Sequence, residues 1–559
     1  MVKRRQKDIV SLFGLIAVVL VLSLVSSRYF VRLDLTSDKR FTLSDVTKYE
    51  LDHLDDQMQV LVYLEGDFPA GFKRLRNAIN DLMIDYRSFS GRKLNYAFVN
   101  PTEGGEQQKS SLMQDLSARG LMATNLSVKT EEGFSQKIIF PSALIRYQGR
   151  EIAVNFLQSR MGASPEDVLN NSIQNLEYAF TSAIRKLKKN GRQNIGFTEG
   201  HGELSDLQLA DAMGSLQNAF QVGRVDLRDI SLQGIEKLSL LIIPKPQTAF
   251  TEAEKFKLDY FIGRGGSVLW AIDQVNAELD SLRGQGTQLA FVKSLNLDDM
   301  LFRYGLKLNY NLLADMNCAQ IPLKVGGSSG GQAQMQMVPW MYYPLFVSVS
   351  QHPVVKNIEA VRSEFAGTID TLPLRGVRKE VLLSSSPFSR VLQVPALISL
   401  QQVEQEPDPE QFRGEPLITG IALEGIFPQV FENRAVPEGV KGNISGEVAL
   451  PAKMIVLSDG DILKNQVSTQ DQSPFPLGFD RFSQQQFGNK TLLMNMVDYL
   501  TDDPSIIALR SREVKSYLLD RAKIKSEKVK WQALNVGLPL IILSMTGLMV
   551  HIYRKRKYS

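Results

Sequence analysis

The segment IGFTEGHGELSD, residues 195–206, joins a predicted strand to a predicted helix. Its first residues are apolar, whereas Ser205 and Gln208 form the S-x-x-Q pattern of a helix capping box. Between them, His201 lies between two glycines, with Glu199 and Glu203 on either side. A strand, a polar loop and a helix in this order are typical of an α/β domain, so this segment indicates the fold and supplies the first candidate site.

Strand and helix patterns continue to alternate after this loop. The successive segments are QVGRVDL (221–227), LSLLIIPKP (238–246), TEAEKFKLDYFIGRGG (251–266) and SVLWAID (267–273). The second is mostly apolar, which is typical of a strand covered on both faces of a parallel sheet. PAKMIVLSDGDIL (451–463) predicts a late strand that returns to the same sheet. We therefore expect a doubly wound, flavodoxin-like α/β unit over 191–503, with a β-rich region inserted at about 305–450.

An earlier α/β unit is predicted over residues 58–190. MQVLVYLEG (58–66) and KLNYAFVNP (93–101) have the composition of strands and flank a predicted helix at 72–88. Pro165 opens a long predicted helix that reaches about residue 189, because its apolar residues recur at helical spacing. The fold class is accordingly α/β, with two such units. A glycine-rich stretch at 324–336 predicts a flexible loop within the second.

Composition restricts the functions that are open to the chain. Its 559 residues include 64 Lys and Arg against 60 Asp and Glu, a near balance that makes nucleic acid an unexpected partner. The single cysteine, Cys318, excludes an intramolecular disulfide and a zinc site built from cysteines. Only four histidines could serve as metal ligands. We expect no metal and no cofactor.

Both ends of the chain include an uncharged apolar run. Residues 9–27 are long enough to cross the hydrocarbon core of a bilayer at about 1.5 Å per residue. A cleaved signal peptide is the alternative, but the run is longer than the usual apolar region of such a peptide. Residues 531–553 form the second predicted span, with Trp531 and Tyr553 near its ends, where interfacial aromatics are common.

The two spans bracket the rest of the chain. The basic tails 1–8 and 554–559 favour cytoplasmic termini, which predicts a two-pass protein of the bacterial inner membrane with its large domain in the periplasm. Residues 28–57 then form a stalk, and residues 504–530 form a juxtamembrane helix. The membrane-proximal residues are expected to be Arg32, Asp34, Lys528, Lys530 and Trp531.

Three interpretations of the 195–206 loop stay open. Glu199, His201 and Glu203 could offer three metal ligands, although no second histidine lies near them in sequence. They could bind a ligand or a partner, because open α/β sheets bind ligands at loops that follow the carboxyl ends of strands. They could also form a structural turn. We assign the three residues to a candidate ligand- or partner-binding site.

The doubly wound unit also resembles class I glutamine-amidotransferase-like domains, which place a cysteine nucleophile at a tight turn between a strand and a helix. The comparable turn here follows SVLWAID and contains Asp273 and Gln274, so the nucleophile is missing. Cys318 lies outside this turn and is interpreted as a packed thiol. SDGD (458–461) is interpreted as a turn in which Gly460 supplies an unusual backbone dihedral. No catalytic residue is assigned.

Several phrases, in their order along the chain, resemble one family. They are RLDLTSDKRFTLS (32–44), VYLEGDFPAGFKRL (62–75), FVNP (98–101), IGFTEGHGE (195–203), SQHPVVKNI (350–358), LLSSSPFSR (382–390), IALEGIFPQVFENR (421–434) and FGNKTLLMNMVDYL (487–500). With them, the chain resembles the gliding-motility-associated ABC transporter auxiliary or substrate-binding proteins of the Bacteroidetes, the GldG family. The resemblance covers most of the chain, including both apolar ends.

This resemblance implies a non-enzymatic, membrane-anchored extracytoplasmic subunit that contacts membrane lipid, an ABC permease subunit and a cytoplasmic ATPase subunit. The sequence itself contains no G-x-x-x-x-G-K-[ST] motif, the usual nucleotide-binding loop of an ATPase, so the chain is not expected to be the ATPase subunit. Two alternatives come from other classes of protein. One is a solute-binding protein with a cleft between α/β units, and the other is a hydrolase or transferase that uses residues 199–203.

Overall fold

The computed structural model describes residues 42–501, residues 521–558 and isolated positions between 14 and 23. The gaps within the long range are residues 102, 104, 131–132, 158–164, 189–191, 218, 326–333, 349, 357, 405–406 and 443–448. Two compact units divide the chain. One comprises Phe41–Arg512, and the other comprises Met1–Arg40 together with Glu513–Ser559.

The first α/β region of the large unit contains eleven described elements. They are α1 (Asp45–Asp52), β1 (Met58–Val62), α2 (Ala70–Phe89), β2 (Leu94–Phe98), α3 (Glu106–Ala118), β3 (Thr124–Thr130), β4 (Gly133–Ile139), β5 (Ser142–Tyr147), β6 (Arg150–Asn155), α4 (Pro165–Gln174) and α5 (Leu176–Lys188). The predicted long helix from Pro165 is two helices, separated at Asn175, a residue type with low helix propensity.

A four-stranded sheet forms the centre of this region, in the order β2-β1-β5-β6. β1 is parallel to β2 and antiparallel to β5, while β3 and β4 form a separate hairpin. Val60 of β1 packs with Leu75 and Ile79 of α2 and with Phe180 and Ile184 of α5 in one buried cluster. The spacing of four residues on each helix places both side chains on the face that covers the sheet.

The second α/β region begins with alternating strands and helices. They are β7 (Asn194–Glu199), α6 (Ala210–Gln217), β8 (Gln221–Asp226), α7 (Leu232–Ile235), β9 (Leu238–Pro244), α8 (Glu252–Gly263) and β10 (Ser267–Ala271). After a long insertion, the region ends with β23 (Ala452–Leu457), β24 (Phe479–Asp480), β25 (Gln485–Gln486) and α11 (Asn489–Thr501). A short 3-10 helix, Asp461–Leu463, follows β23.

The insertion is rich in short strands. It contains β11 (Val275–Asn276), α9 (Leu279–Gln285), β12 (Thr287–Val292), α10 (Asp298–Arg303), β13 (Leu306–Leu308), β14 (Asn311–Asp315), β15 (Cys318–Val325), β16 (Gln334–Phe346), β17 (Val361–Arg362), β18 (Ile369–Thr371), β19 (Val377–Ser384), β20 (Ser389–Gln393), β21 (Ala396–Ser399) and β22 (Ile418–Gly425). Two 3-10 helices, Leu400–Glu404 and Pro409–Phe412, lie between β21 and β22.

A seven-stranded sheet, in the order β19-β22-β23-β10-β9-β7-β8, organises the second region. β8, β7, β9, β10 and β23 are parallel, whereas β22 and β19 are antiparallel additions from the insertion. Across the sheet from β8 to β23, the five parallel strands are the second, first, third, fourth and fifth along the chain. This is the flavodoxin-like strand order. The predicted mixed α/β class is confirmed. The loops after β7 and β9 lie where the direction of strand addition reverses.

Both faces of this sheet are buried, as the mostly apolar strand segments predict. Alternate residues of one strand enter different clusters: Leu240 and Ile242 lie in one, and Leu241 and Ile243 lie in the other. α6 and α11 contribute to the first cluster, and α8 and α10 contribute to the second. Since side chains alternate across a strand, helices on opposite faces account for strands that are apolar at successive positions.

The other described strands of the insertion pair into small sheets. Most of these contribute to a buried cluster around Trp340, Tyr342 and Phe365, whereas β13 and β18 contribute to the cluster that contains α8 and α10. These sheets are β11-β12-β21, β13-β18, β14-β20 and β15-β16-β17. The range predicted for the flexible loop, 324–336, includes residues that lie in strands. Lys324 and Val325 end β15, and Gln334 begins β16. The β15–β16 ladder pairs Val325 with Gln334, so backbone pairing outweighs the local composition there.

One described helix, α12 (Arg521–Tyr558), has the length and composition to cross a membrane. The candidate span is Glu527–Arg556, and an 18-residue window within it has a mean hydropathy of 1.9 and no buried residues. Lys528, Lys530 and Trp531 are exposed on it. The first predicted span, residues 9–27, lies largely outside the described residues, as do Arg32, Asp34 and residues 504–520 of the predicted juxtamembrane segment.

Candidate functional site

The 195–206 loop lies at the carboxyl end of β7, and its histidine is buried. The His201 ring is stacked on Phe250 with the ring centroids 3.9 Å apart. Its Nδ1 lies 3.3 Å from Oε1 of Glu203, and its Nε2 lies 3.2 Å from Oε2 of Glu254. The backbone N–H of His201 also donates to Glu203, at 2.6 Å. The imidazole is therefore held between two carboxylates and an aromatic ring.

The charges in this arrangement support one another. Burial alone would lower the pKa of His201, but hydrogen bonds to Glu203 and Glu254 outweigh burial and raise that pKa to about 9. Burial opposes ionisation of Glu254, yet hydrogen bonds from His201 and Thr251 lower its pKa to about 2. The pKa of Glu203 is lowered for similar reasons. At neutral pH the site is an imidazolium between two carboxylates.

Glu199 does not join this buried group. Its carboxylate lies 3.4 Å from Nε of Arg224, which also approaches Asp206 at 3.2 Å. Gly200 separates Glu199 from His201 and has a φ of +106°, a conformation that favours glycine. The two acidic residues of the E-G-H-G-E pattern thus lie in different environments, one half-exposed and the other buried.

Glu254 was not among the predicted site residues. It is the fourth residue of Thr251-Glu252-Ala253-Glu254, where the Thr251 side chain and the Glu254 side chain form a capping box at the start of α8. A T-x-x-E pattern before a helix is visible in the sequence, but it indicates a helix start and gives no information about His201, which lies far earlier in the chain. Only the fold brings α8 against the loop after β7.

A second cluster of charged side chains lies along the same edge of the sheet, at the carboxyl ends of β9, β10 and β23. Nζ of the buried Lys245 lies 2.5 Å from Asp461, 2.6 Å from Glu278 and 3.4 Å from Asp273. Lys464 adds a second cation, 2.9 Å from Asp461. Lys245 has a φ of +58°, which is unusual for a residue other than glycine and persists only where surrounding contacts hold it.

The pKa shifts in this cluster describe a set of buried ion pairs. Burial would lower the pKa of Lys245, but Asp461, Asp273 and Glu278 outweigh it and raise that pKa well above its usual value. Burial would raise the pKa of Asp461, but Lys245 and Lys464 hold it below its usual range. Burial and the neighbouring Asp461 raise the pKa of Glu278. Lys245 is therefore a fixed cation and not an uncharged amine nucleophile.

Asp273, Glu278 and Asp461 could supply three oxygen ligands to a cation, because their carboxylate oxygens lie within 4.8 Å of one another. The Lys245 ammonium, however, lies within 3.4 Å of all three carboxylates. A metal ion in the same position would have to displace a buried positive charge. Lys464 and Lys293 each add a positive charge, beside Asp461 and Asp273 respectively, so three lysines already balance the three carboxylates and the chemistry does not fit a resident metal.

Gly460 is required in the SDGD segment, but for a reason other than the backbone dihedral that the sequence predicted. Its φ is −82°, so the prediction of an unusual dihedral is wrong. A Cβ at this position would lie 2.8 Å from Cα of Lys245, so the glycine is required by the close approach of two loops. Its N–H donates to Asp273 at 2.6 Å, and Asp459 accepts from Ser363 and from the backbone of Glu364.

A cavity of about 260 Å³ adjoins the Lys245 cluster. Glu278 and Lys464 belong to both the cluster and the cavity wall. The remaining wall comes from the segment after β23 and from the insertion, including Tyr343 and Arg362. This places the cavity beside the carboxyl ends of the parallel strands, where open α/β sheets bind ligands.

The nucleophile expected of an amidotransferase-like site is missing from the turn after β10, where Asp273 and Gln274 are both buried. Cys318 begins β15 in the insertion and is half-buried. Burial and the neighbouring Asp315 raise the pKa of its thiol to about 11. Because the thiolate is the reactive form, this cysteine is a poor nucleophile at neutral pH.

The fold and the sites together define an α/β protein in which the charged groups at the sheet edge are paired with one another. Comparison with known families gives two matches. The sequence model described as "ABC-type uncharacterized transport system", which represents an auxiliary component, matches residues 192–496. A second model, described as a domain of unknown function, matches residues 37–146. Because the first match covers more than half of the chain, the protein belongs to this transport-associated auxiliary family.

Individual relatives add little about function. An uncharacterized protein of Borreliella burgdorferi is 22% identical over 577 residues and covers 99% of both chains. Among solved structures, the chain is similar to the mmIFT52 N-terminal domain, with 13% identity, a TM-score of 0.32 and coverage of 56% of this chain and 98% of that one. A putative ThuA-like protein from Bacteroides uniformis has 13% identity, a TM-score of 0.27 and coverage of 57% and 95%. Similarity at this level supports no argument about function.

Proposed function

We propose that the chain is a non-enzymatic, membrane-anchored extracytoplasmic subunit of an ABC transporter complex associated with gliding motility, similar to the GldG family of the Bacteroidetes. The observation that supports this proposal most strongly is the match of residues 192–496 to the auxiliary family of ABC-type transport systems. The ordered phrases that resemble the gliding-associated proteins extend the proposal to a particular kind of system.

Anchoring is proposed through both ends of the chain. The apolar helix Glu527–Arg556 supports the carboxyl-terminal anchor, since its large apolar side chains face outward. Residues 9–27 supply the second anchor in this proposal, and the basic tails favour cytoplasmic termini. The α/β units at 58–190 and 191–503 then lie in the periplasm, joined to the membrane by the stalk at 28–57 and by residues 504–530.

The absence of catalysis is proposed from the chemistry of the sheet edge. His201 is protonated at neutral pH and donates to two carboxylates, so it offers no lone pair for a general base. Lys245 is likewise a paired cation. In the described part of the chain, these groups form stable charge pairs beside the cavity without a nucleophile of raised reactivity among them.

The exposed rim of the 195–206 loop is proposed as the contact with a partner subunit. Glu199, at the end of β7, is half-exposed, and Arg228, just after β8, is exposed. Glu199 pairs with Arg224, and Arg228 pairs with Asp226. Exposed charges of both signs on a rigid sheet edge can select a partner by electrostatic complementarity. His201 and Glu203 support this rim from below by fixing the loop.

Affinity purification from native membranes tests the proposal. A tagged chain extracted in mild detergent should bring down one ABC permease subunit and one ATPase subunit in fixed proportion. A charge reversal at the rim, Glu199→Arg with Arg228→Glu, should reduce their recovery, whereas Arg303→Glu, an exposed arginine on α10, should not. Recovery of the chain free of both subunits would refute the proposed assembly.

A further inference from the structure

The cavity beside the Lys245 cluster has walls from two parts of the second α/β region. Lys464 and Arg481 come from the segment between β23 and β25, whereas Tyr343 and Arg362 come from the insertion. Its volume of about 260 Å³ suits a small solute of a few to about fifteen non-hydrogen atoms rather than a nucleotide or a folded partner. It lies on the edge of the sheet where ligands bind in doubly wound folds.

Arg362 contributes a guanidinium group to the wall of this cavity. Its side chain is only 13% exposed and packs over the ring of Tyr343, with 4.9 Å from the guanidinium carbon to the ring centroid. Its Nη2 pairs with Glu364 at 3.0 Å, but its Nε is buried and has no acceptor among the described residues. The guanidinium thus lies in the cavity wall, held in place by Glu364 and by the ring of Tyr343.

Other cations surround the same space. Arg283 and Arg481 both approach the ring of Phe482, with guanidinium carbons 5.6 and 4.7 Å from its centroid, and Lys464 lies at the boundary with the Lys245 cluster. Planar guanidinium groups match the geometry of a carboxylate because they can donate two parallel hydrogen bonds. A carboxylate is therefore the acceptor that this wall fits best.

Acidic residues limit the ligand's total negative charge. Glu278, Asp280, Glu364 and Asp480 line the cavity together with the four cations, so the two signs are equal in number. A doubly charged phosphate would meet these carboxylates at short range, whereas an ammonium group would be attracted by them. Asp280 is the most exposed, with 95% of its side chain accessible, and is available to a ligand from solvent.

We propose that this cavity binds a small zwitterionic solute, an amino acid or a dipeptide, through its carboxylate and its amino group. The carboxylate accepts hydrogen bonds from Arg362 and Arg481, and the ammonium group lies toward Asp280. This function goes beyond membership in a transport complex, and binding is a property of this chain alone. Its failure would leave the association with permease and ATPase subunits unaffected.

Binding can be measured on the full-length chain purified in detergent, by isothermal titration calorimetry. The probes are the twenty L-amino acids and the dipeptide Ala-Ala, with Ala-Ala amide, N-acetyl-Ala-Ala and inorganic phosphate as comparisons. At least one amino acid or the dipeptide should bind, and blocking either charged end should reduce affinity by about ten- to hundredfold, as expected for loss of a charged hydrogen bond. Binding of phosphate alone, or of none of the probes, would overturn the proposal.

Variants locate the site. Arg362→Gln removes this guanidinium from the cavity wall and should weaken binding by about ten- to hundredfold. Because Arg362 is mostly buried, Arg481→Gln provides a second test on a different segment of the wall, with circular dichroism to verify folding. Arg303→Gln, on α10, is the matched control and should leave affinity unchanged. Equal affinity in the Arg481 variant and the control would place the ligand elsewhere and overturn the assignment.

Discussion

Replacing His201 with glutamine should destabilise the protein and remove a specific part of its pH dependence. The structure holds the protonated ring between Glu203 and Glu254, at 3.3 and 3.2 Å, and against Phe250. Its pKa rises from 6.5 to about 9, and one pKa unit corresponds to about 1.4 kcal/mol, so protonation contributes about 3 kcal/mol to folding. His201→Gln also leaves two buried carboxylates without their cation, for which a loss of about 3–5 kcal/mol is typical.

The sign of the pH effect follows from the raised pKa. The folded protein binds the His201 proton more tightly than the unfolded chain, so this stabilisation is fully present below pH 6.5 and is lost as pH rises through about 9. The free energy of unfolding can be measured by urea denaturation, followed by circular dichroism, at about pH 6 and about pH 10. Between these two pH values the wild-type protein should lose about 3 kcal/mol more stability than His201→Gln loses. Other titrating groups are common to both proteins and cancel in this comparison.

His53→Gln is the matched control, since His53 is an exposed histidine whose ring stacks on Tyr49 and whose nearby carboxylate, Asp52, is also exposed. It should change stability by less than about 0.5 kcal/mol at either pH. The reasoning would be refuted if His201→Gln were as stable as the control at about pH 6, or if both proteins lost the same free energy on titration. His201→Lys, which keeps a cation but has no imidazole, should preserve cellular function, whereas a hydrolase or transferase that uses this ring would lose it.

Three further predictions concern the second charge cluster and the cysteine. Lys245→Met should lower the free energy of unfolding by about 3–5 kcal/mol, because it leaves the buried Asp461 and its neighbours uncompensated, and adding Asp461→Asn should recover part of the loss in the same denaturation assay. Gly460→Ala should cost about 1–3 kcal/mol through its clash with Lys245, whereas Gly214→Ala, where nothing lies within 4 Å of the added carbon, should cost nothing or stabilise α6. Cys318, with a thiol pKa of about 11, should react with maleimide far more slowly at neutral pH in the folded protein than in urea, and equal rates would contradict its packed environment.

Local patterns predicted most of the regular elements around the central sheet. The apolar run at 238–246 contains β9, and the T-x-x-E and S-x-x-Q patterns both form the reciprocal hydrogen bonds of helix capping boxes. These signals depend on residues a few positions apart, so a single sequence displays them directly. The mixed α/β class follows from their alternation.

Contacts between distant segments were not predictable in the same way. The acid that pairs with Nε2 of His201 is Glu254, and the closest partner of Lys245 is Asp461, more than two hundred residues later. Such pairs form because parallel strands end at one edge of the sheet, and the strand order that aligns them is a tertiary property. The loop sequence therefore suggested chemistry, whereas the fold pairs its histidine with two carboxylates.

Gly460 shows that a correct residue can be assigned for an incorrect reason. The sequence indicated a glycine needed for its backbone dihedral, but the dihedral is ordinary and the required property is the missing side chain beside Lys245. The neighbour that imposes this restriction, Lys245, lies on the loop that follows β9. Steric requirements between loops of this kind are invisible to composition and spacing.

Site-specific photo-crosslinking in native membranes tests most directly whether this chain works as a subunit of an ABC transporter complex. A photoreactive residue at Leu548, an exposed position of α12, should crosslink to an ABC permease subunit, and one at Glu199 should crosslink to a subunit of the same complex. The same residue at Phe302, exposed on α10, provides the control for nonspecific capture. Crosslinks from Leu548 and Glu199 that match those from Phe302, with no transporter subunit among them, would contradict the proposed function.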